Sequence, residues 1–161
     1  MKKIPIKGMA VAGVIAALYV AFTLPFGQIA FGPIQFRIAE ILTLLPFLSP
    51  WAIWGVTLGC FLSNLLFSSI WDVIFGTLAT LIAALCTYKS RHLLVAPIWP
   101  ILWNGLIIGT MLTFLTLDSF AIIPWLTFMA EITASEFVVC FALGVPFLKY
   151  FKKYQLDRFL K

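Results

Sequence analysis

Long apolar runs, broken by short polar or Gly/Pro-rich gaps, recur along the whole chain and set the first expectation. A helix that crosses a bilayer needs roughly 20 predominantly apolar residues. The runs predict helices over residues 8–24, 51–67, 71–88, 93–115 and 122–150, with a shorter one over 35–47. Pro25 and Gly27 end the first, and the Gly/Pro-punctuated stretch 25–33 reads as a loop. Ser49-Pro50, Ser68-Ser69, the basic gap from Lys89 to His92 and a turn over 116–119 separate the others. The short segment reaches only ~20 Å at 1.5 Å per residue, so its length alone does not decide whether it crosses. With no long repeat and no low-complexity tract, residues 1–161 read as a single transmembrane domain.

Charge decides the crossing. Ten of the eleven basic residues fall in three groups: Lys2, Lys3 and Lys7 before the first run, Lys89 and Arg91 mid-chain, and Lys149, Lys152, Lys153, Arg158 and Lys161 at the end. If 35–47 crosses, all three groups share one face and only Arg37 lies opposite. If it does not, the later spans invert and the asymmetry weakens. Lys and Arg in short loops stay cytoplasmic, so the expectation is an all-α membrane protein of six helices with both termini cytoplasmic. Composition agrees: 63% of residues are hydrophobic, 11% are charged, and mean hydropathy is +1.08. Soluble domains hold about 25% charged residues. The net charge of +5 sits in loops and termini, where anionic lipid headgroups rather than nucleic acid are the natural partner. Lys2, Lys3 and Lys7 before an apolar run imitate a secretory signal, but no small-residue cleavage site follows, so the run reads as the first span.

Polar residues inside these runs are the candidates for chemistry. Glu131 and Glu136 lie within the last span, and an intramembrane carboxylate is a functional candidate by default. Five positions at 100° each put them about 140° apart, so they do not serve one ligand atom. Glu131, nearer the outer end, is the first choice; the competing reading is a structural carboxylate bonded to a neighbouring helix. Trp103-Asn104 interrupts the fifth span, offering a stacking surface and an amide that serves equally as interhelical glue. Gln35, Arg37 and Glu40 open the short segment, where Arg37 and Glu40 are also spaced for a local ion pair. Asp72 begins the fourth span, where capping explains a carboxylate as readily as binding does. Gly8, Ala12, Ala16 and, beside them, Gly13, Ala17, Ala21 form small-residue ladders suited to close helix packing, within this chain or against another subunit.

Several chemistries are missing from the sequence. Cys60, Cys86 and Cys140 are far apart in apolar runs and read as packing residues, and His92 stands alone in a basic loop, so no metal set is expected. There is no Walker-type glycine loop and no HExxH, so the chain reads as a non-enzyme without a cofactor. Uphill movement of a solute would need energy from another subunit or an ion gradient.

Four stretches carry a family resemblance: Pro33 to Pro46 (PIQFRIAEILTLLP), Gly59 to Asn64 (GCFLSN), Trp71-Asp72 with Gly76 to Thr80 (GTLAT), and Ala130-Glu131 with Glu136. The chain resembles the QueT family, S-components of energy-coupling-factor transporters for queuosine precursors, and the first stretch is the most specific. The resemblance implies a six-helix substrate-binding subunit in the bacterial plasma membrane. It also implies a partner set of one transmembrane coupling subunit and two cytoplasmic ATPases, which alone use ATP. The ligand would enter an external pocket beneath the first external loop, and an Ala-rich first helix (Ala12, Ala16, Ala17, Ala21) would dock on the coupling subunit. The implied substrate is a 7-deazaguanine with a 7-cyano or 7-aminomethyl group. Its guanine-like edge suits a bidentate carboxylate such as Glu131, and its flat bicycle suits Trp103, Trp71, Phe75 or Trp125. An aminomethyl cation would want a second carboxylate from Glu136, Glu40 or Asp72, while Gln35 and Asn104 could read the carbonyl and ring nitrogens. Three alternatives stay open: an S-component for another flat vitamin or nucleobase, a solitary proton-coupled transporter, and a non-transporting scaffold.

Overall fold

In a computed structural model, residues 6–26, 36–117 and 119–160 are described; Gln28, Gln35 and Asp118 lie outside them. Everything described is helix or connecting turn. Helix α1 is Ile6–Thr23, extended by one 3-10 turn, Leu24–Phe26. The short segment, α2, is Ile38–Phe47 and winds as a 3-10 helix. Helix α3 is Trp51–Phe67 and α4 is Asp72–Lys89, whose first turn, Asp72–Gly76, is π-helical. Helix α5 is Ile98–Leu117, and α6 is Ile122–Lys153 with an internal π segment, Val138–Gly144. A terminal 3-10 turn, Leu156–Leu160, follows. The fifth helix begins five residues later than the apolar run predicts. Residues 93–97 are turn, because Pro97 disfavours helical geometry in the residue before it.

Four of these helices (α1, α4, α5 and α6) are long and apolar enough to cross a membrane, and α2 and α3 are shorter apolar helices. Large apolar side chains such as Trp54, Leu66, Ile74 and Ile123 point outward from all sides of the bundle, as lipid-facing helices require. The chain is a multi-pass membrane protein.

Packing follows chain order at the periphery: α1 lies on α3, α3 and α5 on α4, and α6 on α5. Helix α2 fills the middle, touching α1, α3, α4 and the π segment of α6. Leu42, Leu44 and Leu45 are buried there with Ala39, Glu40 and Thr43, so α2 is buried on every side. Its 3-10 winding rises about 2.0 Å per residue, so 10 residues reach about 20 Å, still short of a bilayer core. Such a segment is tolerated at depth because protein, not lipid, surrounds its backbone.

Two glycines of α3 let α1 approach closely. A Cβ on Gly59 would stand 2.5 Å from Tyr19 Cβ, and one on Gly55 would stand 2.7 Å from Ile15 Cβ. The α3 Gly55/Gly59 pair is therefore the counterpart of the Gly8/Ala12/Ala16 ladder on α1. Of the residues expected to dock a partner, Ala16 is buried in this internal contact and Ala12 is half-buried. Ala17 and Ala21 are exposed, with open space beside Gly13. The two ladders thus have different neighbours, a distinction that depends on helix rotation and not on spacing.

Candidate functional site

Four charged side chains are buried among the described residues: Arg37, Glu40, Asp72 and Glu136. All four belong to one polar system at the centre of the bundle. Burying such groups in apolar surroundings is costly unless they are paired and hydrogen-bonded. The partners here come from every helix.

The first half of the system gathers around two carboxylates. Tyr19 of α1 donates its hydroxyl to Glu40 Oε1 at 2.5 Å. Asn104 Nδ2 of α5 donates to Glu136 Oε1 at 2.7 Å, and the Cys140 thiol lies 3.5 Å from Glu136 Oε2. Thr43 Oγ1 closes on the Glu40 carbonyl at 2.6 Å. Glu40 and Glu136 lie within electrostatic reach of one another, with Asn104 close to both. Two acceptors in this half, Glu40 Oε2 and Asn104 Oδ1, are buried without a hydrogen-bond partner among the described residues.

The second half anchors the start of α2 to the α3–α4 turn. Arg37 Nη2 meets Asp72 Oδ1 at 3.4 Å. Ser68 and Ser69 donate to Asp72 Oδ2 at 2.5 and 3.1 Å, and Asn64 Nδ2 donates to the Asp72 carbonyl at 2.8 Å. Asp72 does not act as a helix cap: its carboxylate braces the turn before it and binds the guanidinium. The wide π turn that follows exposes the Gly76 carbonyl, 3.7 Å from the Cys60 thiol. Both π segments among the described residues therefore border this polar system, a placement such segments often have at functional sites.

An apolar cleft of about 670 Å³ opens between α4 and α5, lined by Trp71, Phe75, Leu106, Ile107, Met111 and Phe114 among others. Trp71 and Phe75 are near-parallel, with ring centroids 6.1 Å apart and planes 16° from each other. Behind the cleft, Phe75 packs on the buried cluster Ile108, Met111 and Ile132. Ile108 is one turn along α5 from Asn104, and Ile132 is one turn back along α6 from Glu136. The polar pair and the aromatic cleft are therefore stacked layers, linked through one turn of apolar side chains.

Of the residues expected at a site, the fold brings together Asn104, Glu136, Glu40, Arg37 and Asp72, while Trp71 and Phe75 line the adjoining cleft. Trp103, half-buried, lies one turn below Ile107 with its Nε1 buried and without a hydrogen-bond partner among the described residues. Gln35 is outside the described residues. Glu131, the first choice from sequence, is exposed on the α6 face turned away from α5 and stands apart from the cluster. The α5 contact fixes this rotation: Met129 and Thr133 pack against Gly109 and Gly105, and Trp125 Nε1 donates to Thr110 at 2.9 Å. That face carries Glu136 inward and Glu131 outward. Cys60 and Cys140, read from the sequence as packing residues, contribute to the cluster, and so does Tyr19, which the sequence reading did not single out. Tyr19 had one signal, a phenol hydroxyl in an apolar span.

A family profile described as QueT transporter matches residues 9–153. Over 84 residues the chain is 42% identical to a protein named "Queuosine precursor transporter QueT" from Lactococcus lactis subsp. cremoris (strain MG1363); the aligned part is 51% of this chain and 50% of that protein. The chain thus spans about half the length of the curated relative it matches. No solved structure matches.

Proposed function

This chain belongs to the QueT transporter family, and on that premise we propose that it is the substrate-binding membrane subunit, an S-component, for a queuosine precursor. In this reading it crosses the cell membrane six times with both termini cytoplasmic. It takes a 7-deazaguanine from outside and passes it inward with a transmembrane coupling subunit and two cytoplasmic ATPases. The name of the Lactococcus relative supports the substrate class. The sequence carries no nucleotide-hydrolysing loop, which is why the energy source is assigned to partners. The exposed stripe Gly13, Ala17 and Ala21 is the part of α1 available to the coupling subunit; Ala12 and Ala16 support α1 against α3.

The observation that carries the reading is a pair of acceptors without a hydrogen-bond partner among the described residues, Glu40 Oε2 and Asn104 Oδ1, one apolar turn from the Trp71–Phe75 cleft. A deazaguanine supplies what that arrangement lacks: several N–H donors on one edge and a flat surface for stacking. Purified protein heated with each ligand tests this. At about 100 times its Kd, a bound ligand stabilises the folded state by about 2.7 kcal/mol, which raises the unfolding temperature by several degrees. Deazaguanines are expected to produce this shift and riboflavin, thiamine and unmodified purines are not. Protection by none of the deazaguanines removes the substrate assignment.

A further inference from the structure

We infer that the seam between α1 and α6 binds one acyl chain of an anionic phospholipid, with the phosphate at the Lys7 end. The ring of outer helices is uneven. Among the described residues α1 packs along α3, α3 along α4, α4 along α5 and α5 along α6, whereas α6 and α1 are joined chiefly through α2 and the terminal turn. A groove of about 430 Å³ follows that seam. One wall is the α1 face from Lys7 through Val14 to Phe22, and the other is Phe147 and Phe151 of α6. Leu42 and Leu45 of the buried α2 form the floor, and Phe159 and Leu160 of the terminal turn complete the lining. Ser49 donates to the Leu160 carbonyl and Trp51 lies against Gly8, which places that turn at the Lys7 end. This α1 face is separate from the one that meets Gly55 and Gly59 and from the exposed Gly13, Ala17 and Ala21 stripe.

Shape selects the occupant. From Lys7 to Phe22 the α1 wall is about 22 Å long at 1.5 Å per residue, more than the ~15 Å of hydrocarbon in one leaflet. Spread over that length, the groove has a mean cross-section of about 20 Å². A helix of about 10 Å diameter would need about 80 Å². A partner helix therefore does not fit, and a single extended hydrocarbon chain does. Charge selects the headgroup. Lys7 lines the groove, Arg158 directly precedes the lining pair Phe159-Leu160, and Lys152 follows the lining Phe151 with its Nζ 4.6 Å from the centre of the Phe47 ring. The one acid after Val145 is Asp157, which is half-buried. Cations gathered at the end of an apolar channel favour a lipid of net negative charge over a zwitterion. That the inner leaflet supplies this lipid rests on the topology proposed above; the groove itself does not.

Native mass spectrometry of the purified full chain, released from detergent with phosphatidylglycerol or with phosphatidylethanolamine of matched chains, tests the site. One phosphatidylglycerol per chain is expected to stay bound, at least about tenfold more tightly than phosphatidylethanolamine. Lys7→Gln combined with Arg158→Gln is expected to bring the two lipids within about twofold, while Lys89→Gln, in the basic gap after α4, leaves the preference intact. Ala10→Phe fills the groove from its α1 wall and is expected to cut phosphatidylglycerol retention at least tenfold, with size exclusion and thermal unfolding checking the fold. Equal retention of the two lipids by the unaltered chain overturns the inference, as does undiminished binding in Ala10→Phe. A preference that survives the double variant, or that Lys89→Gln also removes, overturns it too. A chain without bound lipid, or a lipid-free dimer, does the same. All of these are read in detergent, so they leave the proposed orientation and substrate untouched.

Discussion

Glu136 is held by an amide N–H on one oxygen and a thiol on the other, so replacing its carboxylate by a carboxamide keeps the shape and removes the charge. If that charge binds ligand, Glu136→Gln weakens deazaguanine binding at least tenfold, about 1.4 kcal/mol. Glu131→Gln is expected to change affinity by less than threefold, because the Glu131 side chain stands outside the cluster. Calorimetry on both variants checks the pair, and a larger loss in Glu131→Gln would reverse their roles. The contrast also marks how far residues can be read without coordinates. Asn104, Glu136, Glu40, Arg37 and Asp72 were visible because a polar group inside an oily run needs a reason. Which carboxylate faces inward was not, since that depends on how Gly105 and Gly109 seat α6. Tyr19, Cys60 and Cys140 were hidden for a different reason. Each is chemically two-sided, and only its neighbours make a packing side chain into a hydrogen-bond donor.

At the level of helices, the two faces of α1 have separable duties. Gly59 touches Tyr19 and the Ala16 carbonyl, so Gly59→Leu forces α1 away from α3 and drags the Tyr19–Glu40 bond with it. Overpacking of this kind costs about 1–3 kcal/mol, so the variant is expected to unfold at lower temperature and to lose ligand binding in the same preparation. Ala17→Leu enlarges an exposed position and is expected to leave both thermal stability and ligand affinity unchanged. Under the proposed partnership it abolishes uptake in cells that contain the coupling module. Normal uptake by Ala17→Leu would move docking away from this stripe. The family resemblance had implied one docking surface for Ala16 and Ala17, and spacing could not separate them, because a four-residue ladder has no phase until its partner helix is known. Both ends of α3, the C-terminal end of α2 and the start of α6 were legible from apolar run length and polar or proline breaks, while α2 starts three residues later and α6 ends three residues later than the runs predict. The 3-10 winding of α2 was not, because it reflects burial on every side and not a local preference.

The whole molecule poses two questions that its helices leave coupled: which way it faces, and what drives it. α2 is too short to span a bilayer by itself, yet its backbone is enclosed by α1, α3, α4 and α6, so it can complete a crossing inside the protein. If it does, the basic turn at 91 lies in the cytoplasm and the turn at 119 lies outside. On intact cells a membrane-impermeant maleimide is then expected to modify Ser119→Cys and spare Arg91→Cys until the membrane is opened. Labelling of Arg91→Cys on intact cells would mean that α2 does not cross. The same orientation bears on energy. The buried acids are enclosed by the described helices, and the cleft between α4 and α5 is lined by apolar and aromatic side chains, an arrangement suited to holding a ligand. Vesicles holding this chain alone are therefore expected to bind deazaguanine without accumulating it. Accumulation should appear when the coupling subunit and ATPases are added with ATP inside, and it should persist in the presence of a proton uncoupler. Uptake by the chain alone, lost with the uncoupler and indifferent to ATP, would instead make the carboxylate pair the proton-coupling element of a solitary transporter.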